Sequence, residues 1–135
     1  MAYFNELATN TSAATGAANV PTTLLSDNIP SGVPDGNALA MHFETTGSGH
    51  LKATLNGRTI FDEDVFSDMV VDLLVWRRGN TNGDASGSIG EGATTARLAD
   101  RAVSSLAWNN GQTLVITGTC ATEGGLLLKR CGIAR

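Results

Sequence analysis

The chain has 135 residues, enough for one domain whose hydrophobic core needs no disulfide or metal to fold. Hydrophobic residues make up 41% of it and charged residues 16%, which argues against a disordered chain. The formal net charge of −4 disfavours binding to nucleic acid, and no apolar run approaches the length of a membrane span.

The first twenty residues differ from the remainder, because small and polar side chains dominate after Leu7. We predict an extended N-terminal arm over 1–20, followed by a single domain over 21–135. The spacing of Tyr3, Phe4 and Leu7 would place them on one face of a helical turn, and two interpretations stay open. Either these side chains fold back onto their own domain, or the arm hooks a neighbouring subunit. The arm lacks the pattern of a signal peptide, so we expect synthesis in the cytoplasm.

All the prolines of the chain lie early, at Pro21, Pro30 and Pro34. The segment 22–29 is predicted as the first strand, since Pro21 precedes it and Pro30 ends it. Proline is tolerated at a sheet edge, so we expect this strand at an edge. The proline-free remainder suits paired strands, because each interior N–H group is needed in a ladder.

Period-two alternation predicts two further strands after a turn-rich loop. Their residues on one side are Leu39, Met41, Phe43, Leu51, Ala53 and Leu55. The pair Asn56-Gly57 predicts a tight hairpin turn after the second of them, and a short strand follows over 58–63.

The segment 68–78 is apolar on both sides of a predicted strand. One side carries Val71, Leu73 and Val75, and the other carries Val70, Leu74 and Trp76 around Asp72. Two apolar sides predict a central strand whose outer side is covered, and a partner is one way to cover it.

Two later segments are harder to interpret. Residues 79–92 form the longest turn-prone run, and we predict a loop there. In residues 93–108, Leu98, Ala102 and Leu106 fit a helical stripe, whereas the Thr and Ser content favours short strands. We predict strands, followed by two more over the C-terminal alternating segments.

About eight short strands joined by Gly-rich turns predict an all-β protein. Such strands fit a sandwich or a barrel, and we expect a jelly-roll-like antiparallel β-sandwich, since the jelly roll is the commonest such closure. Cys120 and Cys131 each lie in an apolar strand, so thiols are expected, although pairing across neighbouring strands stays open.

We find no strong catalytic or metal-binding constellation, and predict a protein that is not an enzyme and needs no metal or cofactor. The segment GDASG at 83–87 resembles the loop around a serine nucleophile, but its surroundings are polar and its partners are missing. His42 and His50 lack further zinc ligands at a recognisable spacing, so we interpret them as surface residues. The acids of 61–68 lack the EF-hand pattern and favour a solvated turn over a weak calcium site.

The segment TTLLSDNIPSGVPDGNALAMHFETTGSGHLKATLNGRTIFDEDVF resembles small structural proteins of tailed bacteriophages. WRRG at 76–79 and TLVITGT at 113–119 fall where such proteins carry similar strands. The resemblance covers about 22–135 and leaves the arm out. It implies a jelly-roll sandwich that assembles as a homotrimer on the virion.

Two roles are usual for such domains: a capsid decoration (cement) protein, or the receptor- or glycan-binding head or tip of a tail fibre or spike. We expect decoration, because the chain is short and has no shaft repeats. The partner is then the major capsid protein, on the outer capsid surface of the virion. The resemblance makes the arm residues Tyr3, Phe4 and Leu7 the candidate capsid contacts. It makes Val70, Leu74 and Trp76 the candidate trimer interface.

Overall fold

The computed structural model of the chain is an antiparallel β-sandwich, and it describes residues 11–29 and 32–134. Within those ranges the strands are β1 (Ala13–Ala14), β2 (Thr22–Ile29), β3 (Ala38–Gly47), β4 (Gly49–Leu55), β5 (Arg58–Val65), β6 (Met69–Arg78), β7 (Asn82–Glu91), β8 (Thr94–Arg97), β9 (Arg101–Val103), β10 (Gln112–Thr119) and β11 (Leu126–Ala134). No helix in the described ranges is long and apolar enough to cross a membrane.

The strands form two sheets in jelly-roll order. The large sheet runs β1-β11-β3-β6-β7-β8, with β9 also paired to β7, and the small sheet runs β2-β10-β4-β5. Without β7, β8 and β9, the large sheet holds the first, eighth, third and sixth strands and the small sheet the second, seventh, fourth and fifth, as in a jelly roll. The predicted all-β jelly-roll sandwich is therefore confirmed, with an extension of three strands after β6. The predicted edge position of β2 and central position of β6 are confirmed as well.

The core lies between the two sheets and contains the predicted inward residues. Leu39 and Phe43 of β3 are fully buried, as are Leu51 and Leu55 of β4. The ring of Phe43 meets the ring of Phe61 on β5 edge-on, with centroids 6.3 Å apart and planes at 76°. This aromatic pair joins the large sheet to the small one.

The prediction of a loop over 79–92 is wrong, because β7 (Asn82–Glu91) pairs with β6 along its whole length. The strand consists mainly of Gly, Ser and Ala, which favour turns when only local propensity is considered. Its small residues make room for a distant loop: a Cβ atom on Gly83 would lie 3.1 Å from Leu106 Cδ1 and 3.3 Å from Trp108 Cζ2. The long-range packing explains why a glycine-rich segment is a strand here.

The strand interpretation of 93–108 is confirmed for β8 (Thr94–Arg97) and β9 (Arg101–Val103). The remaining residues 104–108 form a loop and not the strand that we predicted. Leu106 and Trp108 are buried from this loop, and Trp108 Nε1 donates a hydrogen bond of 2.7 Å to the Asn82 carbonyl oxygen. The apolar spacing that resembled a helical stripe therefore serves a loop anchored on β7.

The boundary between arm and domain lies earlier in the chain than the predicted position at residue 20. Ala13–Ala14 form β1 at the edge of the large sheet, beside β11. Thr15 is 3% exposed, and its N–H group donates to the Leu126 carbonyl oxygen at 2.9 Å. Its carbonyl oxygen accepts from the Gly124 N–H group at 2.9 Å. The assignment of residues 13–15 to an arm is therefore wrong, because their backbone groups are paired inside the sandwich.

Removing residues 2–20 is expected to destabilise the sandwich, whereas removing residues 2–10 leaves β1 and Thr15 in place. The longer deletion removes the hydrogen bonds that residues 13–15 make with β11, and each lost hydrogen bond costs about 0.5–1.5 kcal/mol. Urea unfolding of the two truncated proteins, measured side by side, checks this. Equal unfolding midpoints would show that β1 contributes nothing to the fold.

Candidate functional site

The outer side of the large sheet carries the candidate interface residues. This large-sheet face consists of Gly132 and Ala134 of β11, Ala38, Ala40, His42 and Glu44 of β3, Val70, Asp72, Leu74 and Trp76 of β6, and Ser86 and Ser88 of β7. Val70 is 39% exposed and Leu74 38%, and Trp76 is half-buried. The structure thus brings Val70, Leu74 and Trp76 together on one open face of a central strand. Their role in a trimer stays a prediction.

The outer side of the small sheet has a different chemistry. This small-sheet face consists of Thr113, Val115, Thr117 and Thr119 of β10, His50, Lys52 and Thr54 of β4, and Asp62 and Asp64 of β5. Threonine and charged side chains suit contact with water, and Val115 is the apolar exception. The contrast between the two faces identifies the large-sheet face as the one suited to a protein partner.

A trough lies in the middle of the large-sheet face. Its volume is about 630 Å³, and its floor is built from small residues, among them Ala40, Gly132 and Ala134. Leu74 and the pair His42 and Asp72 line its sides. The strands that form the floor carry large side chains inward and small ones outward, which leaves an apolar depression on the open face.

A charged network centred on His42 borders this trough. His42 Nδ1 lies 2.7 Å from Asp72 Oδ1, and His42 Nε2 lies 3.3 Å from Glu44 Oε2. Arg130 Nη1 is 3.2 Å from the same Glu44 oxygen. The hydrogen bond to Asp72 raises the pKa of His42, with a smaller contribution from Glu44 and with burial acting in the opposite direction. When His42 is protonated, two positive groups balance two carboxylates.

His50 is the counterpart of His42 on the small-sheet face. Its Nδ1 atom lies 2.8 Å from Asp64 Oδ1, and its Nε2 atom contacts Asp62 Oδ1. The hydrogen bond to Asp64 raises the pKa of His50, burial opposes this, and Asp62 adds to it. The two carboxylates bind opposite ring nitrogens, so they do not converge on one point. In the described part of the chain, no group of His, Cys, Asp and Glu is arranged to hold a metal ion.

The Arg77-Arg78 pair, the densest basic cluster of the sequence, holds loops together. Arg77 donates to the Val33 carbonyl oxygen at 2.8 Å, the Gly79 carbonyl oxygen at 2.7 Å and the Asn109 side chain at 3.1 Å. Arg78 donates to Asp84 at 2.8 Å. These donors are used inside the chain, so the pair is not organised to bind phosphate groups.

Neither the serine-containing segment nor the cysteines supply a nucleophile. The segment at 83–87 lies in the middle of β7 and forms no sharp turn. Cys120 and Cys131 are both free and buried. Burial raises the pKa of Cys131 to about 12, with a contribution from the charge of Asp27, so its thiol stays protonated at neutral pH. Cys120 donates a weak hydrogen bond to the Ser48 carbonyl oxygen at 3.1 Å.

The turn between β5 and β6, residues 66–68, presents an exposed aromatic side chain that the sequence analysis missed. Phe66 is 78% exposed. The backbone N–H groups of Phe66 and Ser67 both donate to Glu91 Oε2, at 3.0 and 3.1 Å, and the Asp68 side chain accepts from the Gly47 N–H group at 3.2 Å. The exposed ring therefore stands on a turn that three hydrogen bonds hold in place. The sequence offered one signal for this exposed ring, namely the position of Phe66 in an acidic, turn-prone segment. Period-two alternation does not show whether a side chain in a turn is exposed.

The predicted arm contacts Tyr3, Phe4 and Leu7 lie outside the described residues, so their role as capsid contacts stays a prediction. No protein-family model matches the chain, and no curated protein matches its sequence. Among solved structures, the chain is similar to the CBM2 module of the evolved Dit protein of Lactobacillus casei BL23 phage J-1. The identity is 10%, the TM-score is 0.32, and the match covers 81% of this chain and 67% of that one. A likeness this distant transfers neither a ligand nor a role.

Proposed function

We propose that this chain is a non-enzymatic structural protein of a tailed-bacteriophage particle, which binds and stabilises the assembled capsid shell as a homotrimer. The observation that carries the proposal is the large-sheet face. Val70 and Leu74 are 39% and 38% exposed on a central strand beside an apolar trough, while the opposite face of the sandwich is polar. The resemblance of the sequence to phage virion proteins supplies the biological setting.

Cement function needs no catalytic group. Many copies that bind only the assembled shell stabilise it by mass action. Linking three copies multiplies the contacts that each trimer makes with the shell, so weak individual contacts suffice.

The large-sheet face alone is small for a stable interface. Four strands about 4.8 Å apart and about eight residues long span roughly 500 Å² in projection. A typical stable interface buries about 800 Å² on each partner. Self-association must therefore include surface outside this face.

A receptor- or glycan-binding tip of a fibre or spike is the second candidate, and Trp76 on the open face is the observation that favours it. A sugar platform needs a free aromatic ring. Trp76 is half-buried, and the guanidinium carbon of Arg78 lies 5.8 Å from the centre of its ring. Because Arg78 lies against the ring of Trp76, that ring is not free to stack on a sugar, and decoration is the better-supported proposal.

The wild-type protein is expected to co-sediment with shells assembled from the major capsid protein of its own phage, and to raise their temperature of disruption. The variant lacking residues 2–10 should remain a folded trimer and lose shell binding, because it lacks Tyr3, Phe4 and Leu7. Full occupancy by this variant would contradict the assignment of the arm. Binding to host glycans or receptors without binding to shells would favour the fibre-tip alternative.

A further inference from the structure

We infer that the Phe66 turn (residues 66–68) of one copy seats in the trough of the next copy, so that the chain associates head to tail. This inference rests on the self-association in the proposed function and names the contact that produces it. The occupant of the trough is thus a second copy of this chain.

Symmetry requires two different patches for a ring of three. A contact between two identical faces is self-complementary and closes as a dimer. A trimer needs one patch that contacts a different patch on the neighbour. The Phe66 turn and the trough are two such patches, and both are apolar.

Phe66 has the properties of an interface anchor. It is 78% exposed, and the only other large apolar side chain of the described residues that is exposed outside the large-sheet face is Val20, at 51%. The two hydrogen bonds to Glu91 fix the turn before any partner arrives, at 3.0 and 3.1 Å. A turn whose backbone is already held loses less conformational entropy on binding, and aromatic residues are prominent among binding hot spots.

The trough has the properties of a receptor for such a ring. Its volume of about 630 Å³ exceeds the size of one side chain, so it also has room for neighbouring atoms of the turn. Its floor of Ala40, Gly132 and Ala134 offers apolar surface to a ring leaving water. Leu74, which is 38% exposed, becomes covered in the same step.

The charges around the trough are mixed, so the contact depends on apolar fit and not on electrostatic steering. Asp72 lines the trough and is 66% exposed, and Arg130 is already paired with Glu44 at 3.2 Å. The side chain of Asp68, beside Phe66, accepts a hydrogen bond from the Gly47 N–H group at 3.2 Å within its own chain.

The test uses sedimentation velocity of the full-length chain and two variants, each disabled in one patch. Phe66→Ala removes the anchor, and Ala40→Arg fills the floor of the trough without touching the core. Each variant alone is expected to associate at least about thirtyfold more weakly than the wild type, the size of an aromatic hot spot. Val20→Ala, which removes the other exposed apolar side chain, should associate like the wild type.

Mixing the two variants decides between the geometries. A Phe66→Ala copy keeps an intact trough and an Ala40→Arg copy keeps an intact turn, so one native contact forms between them. The equimolar mixture should therefore contain a species of two chains of 14.0 kDa each, absent from either variant alone. Circular dichroism confirms folding, and Leu74→Lys replaces Ala40→Arg if the latter unfolds.

Association of Phe66→Ala equal to that of the wild type overturns the inference, because a contact that does not involve Phe66 then holds the copies together. Absence of the mixed species overturns it as well. A wild-type protein that stays monomeric at all concentrations overturns both the inference and the proposed self-association. If the wild type associates but Phe66→Ala does so equally, the inference fails and the proposed function stands.

Discussion

Leu74→Lys is expected to convert the proposed trimer into a monomer of 14.0 kDa. Leu74 lies on the outer side of central strand β6 and is 38% exposed, so a lysine there points into solvent in the isolated chain. In the proposed trimer the same ammonium group would be buried without a partner, which costs about 3–5 kcal/mol for each contact. The expected loss is therefore about two to four powers of ten in affinity for each contact. Sedimentation velocity over a range of concentrations measures it.

The matched control is Val115→Lys on the small-sheet face. Val115 also lies on the outer side of a central strand, β10, and is half-buried. The variant should sediment like the wild type, because the small-sheet face is not proposed as an interface. Loss of association in both variants would show that added charge, and not the large-sheet face, is responsible. No loss in Leu74→Lys would remove the basis of the proposed trimer.

Phe43→Ala is expected to lower the free energy of unfolding by about 3–5 kcal/mol, whereas Phe66→Ala should change it by less than about 0.5 kcal/mol. The two substitutions delete the same atoms from opposite environments. Phe43 is 0% exposed and packs edge-on against Phe61, and Phe66 is 78% exposed. Native domains have a total free energy of unfolding of about 5–15 kcal/mol, so the Phe43→Ala variant is expected to be only marginally folded.

Both substitutions are best measured by urea unfolding in the Leu74→Lys background, since self-association adds to the apparent stability of the native state. A Phe66→Ala variant that loses several kcal/mol in this background would show that Phe66 packs within its own chain. That result would contradict its role as a free anchor. A Phe43→Ala variant that loses less than about 1 kcal/mol would contradict the placement of β3 over the small sheet.

Alternation made much of the sandwich predictable from the sequence. The inward residues of β3, β4 and β6, such as Phe43, Leu51 and Leu73, are buried as their period-two spacing indicates. The same period placed Leu74 on the outer side of β6, where it is 38% exposed in the isolated chain. Period-two alternation does not identify what covers this side of the strand, since it depends on the hydrophobicity of the residues and not on the shape of the surface.

The strand β7 was not predictable, because its cause is not local. Its Gly and Ser residues resemble a loop, and only the pairing with β6 and the packing of Trp108 over Gly83 require a strand there. The strand β1 was missed for a related reason. Two alanines carry no period, and the burial of Thr15 depends on β11, more than a hundred residues later.

The candidate site needed the structure for the same reason. The floor of the trough combines Ala40 with Ala134, which are neighbours only because β11 pairs with β3. The fixed position of Phe66 depends on Glu91 at the end of β7. Sequence analysis found the exposed apolar strand, and the tertiary pairing supplied the trough and the anchored aromatic residue.

The two histidines provide the most direct test that the large-sheet face is an interface. Their side chains are 40% exposed for His42 and 41% for His50, and each contacts two carboxylates, but they lie on opposite faces. Carbethoxylation by diethyl pyrocarbonate, followed by mass spectrometry, compares their reaction rates in dilute and concentrated protein. The rate at His42 should fall as the chain associates, while the rate at His50 stays unchanged. A reaction rate at His42 that does not change with protein concentration would contradict the assignment of the large-sheet face. Protection of His50 alone would contradict it as well.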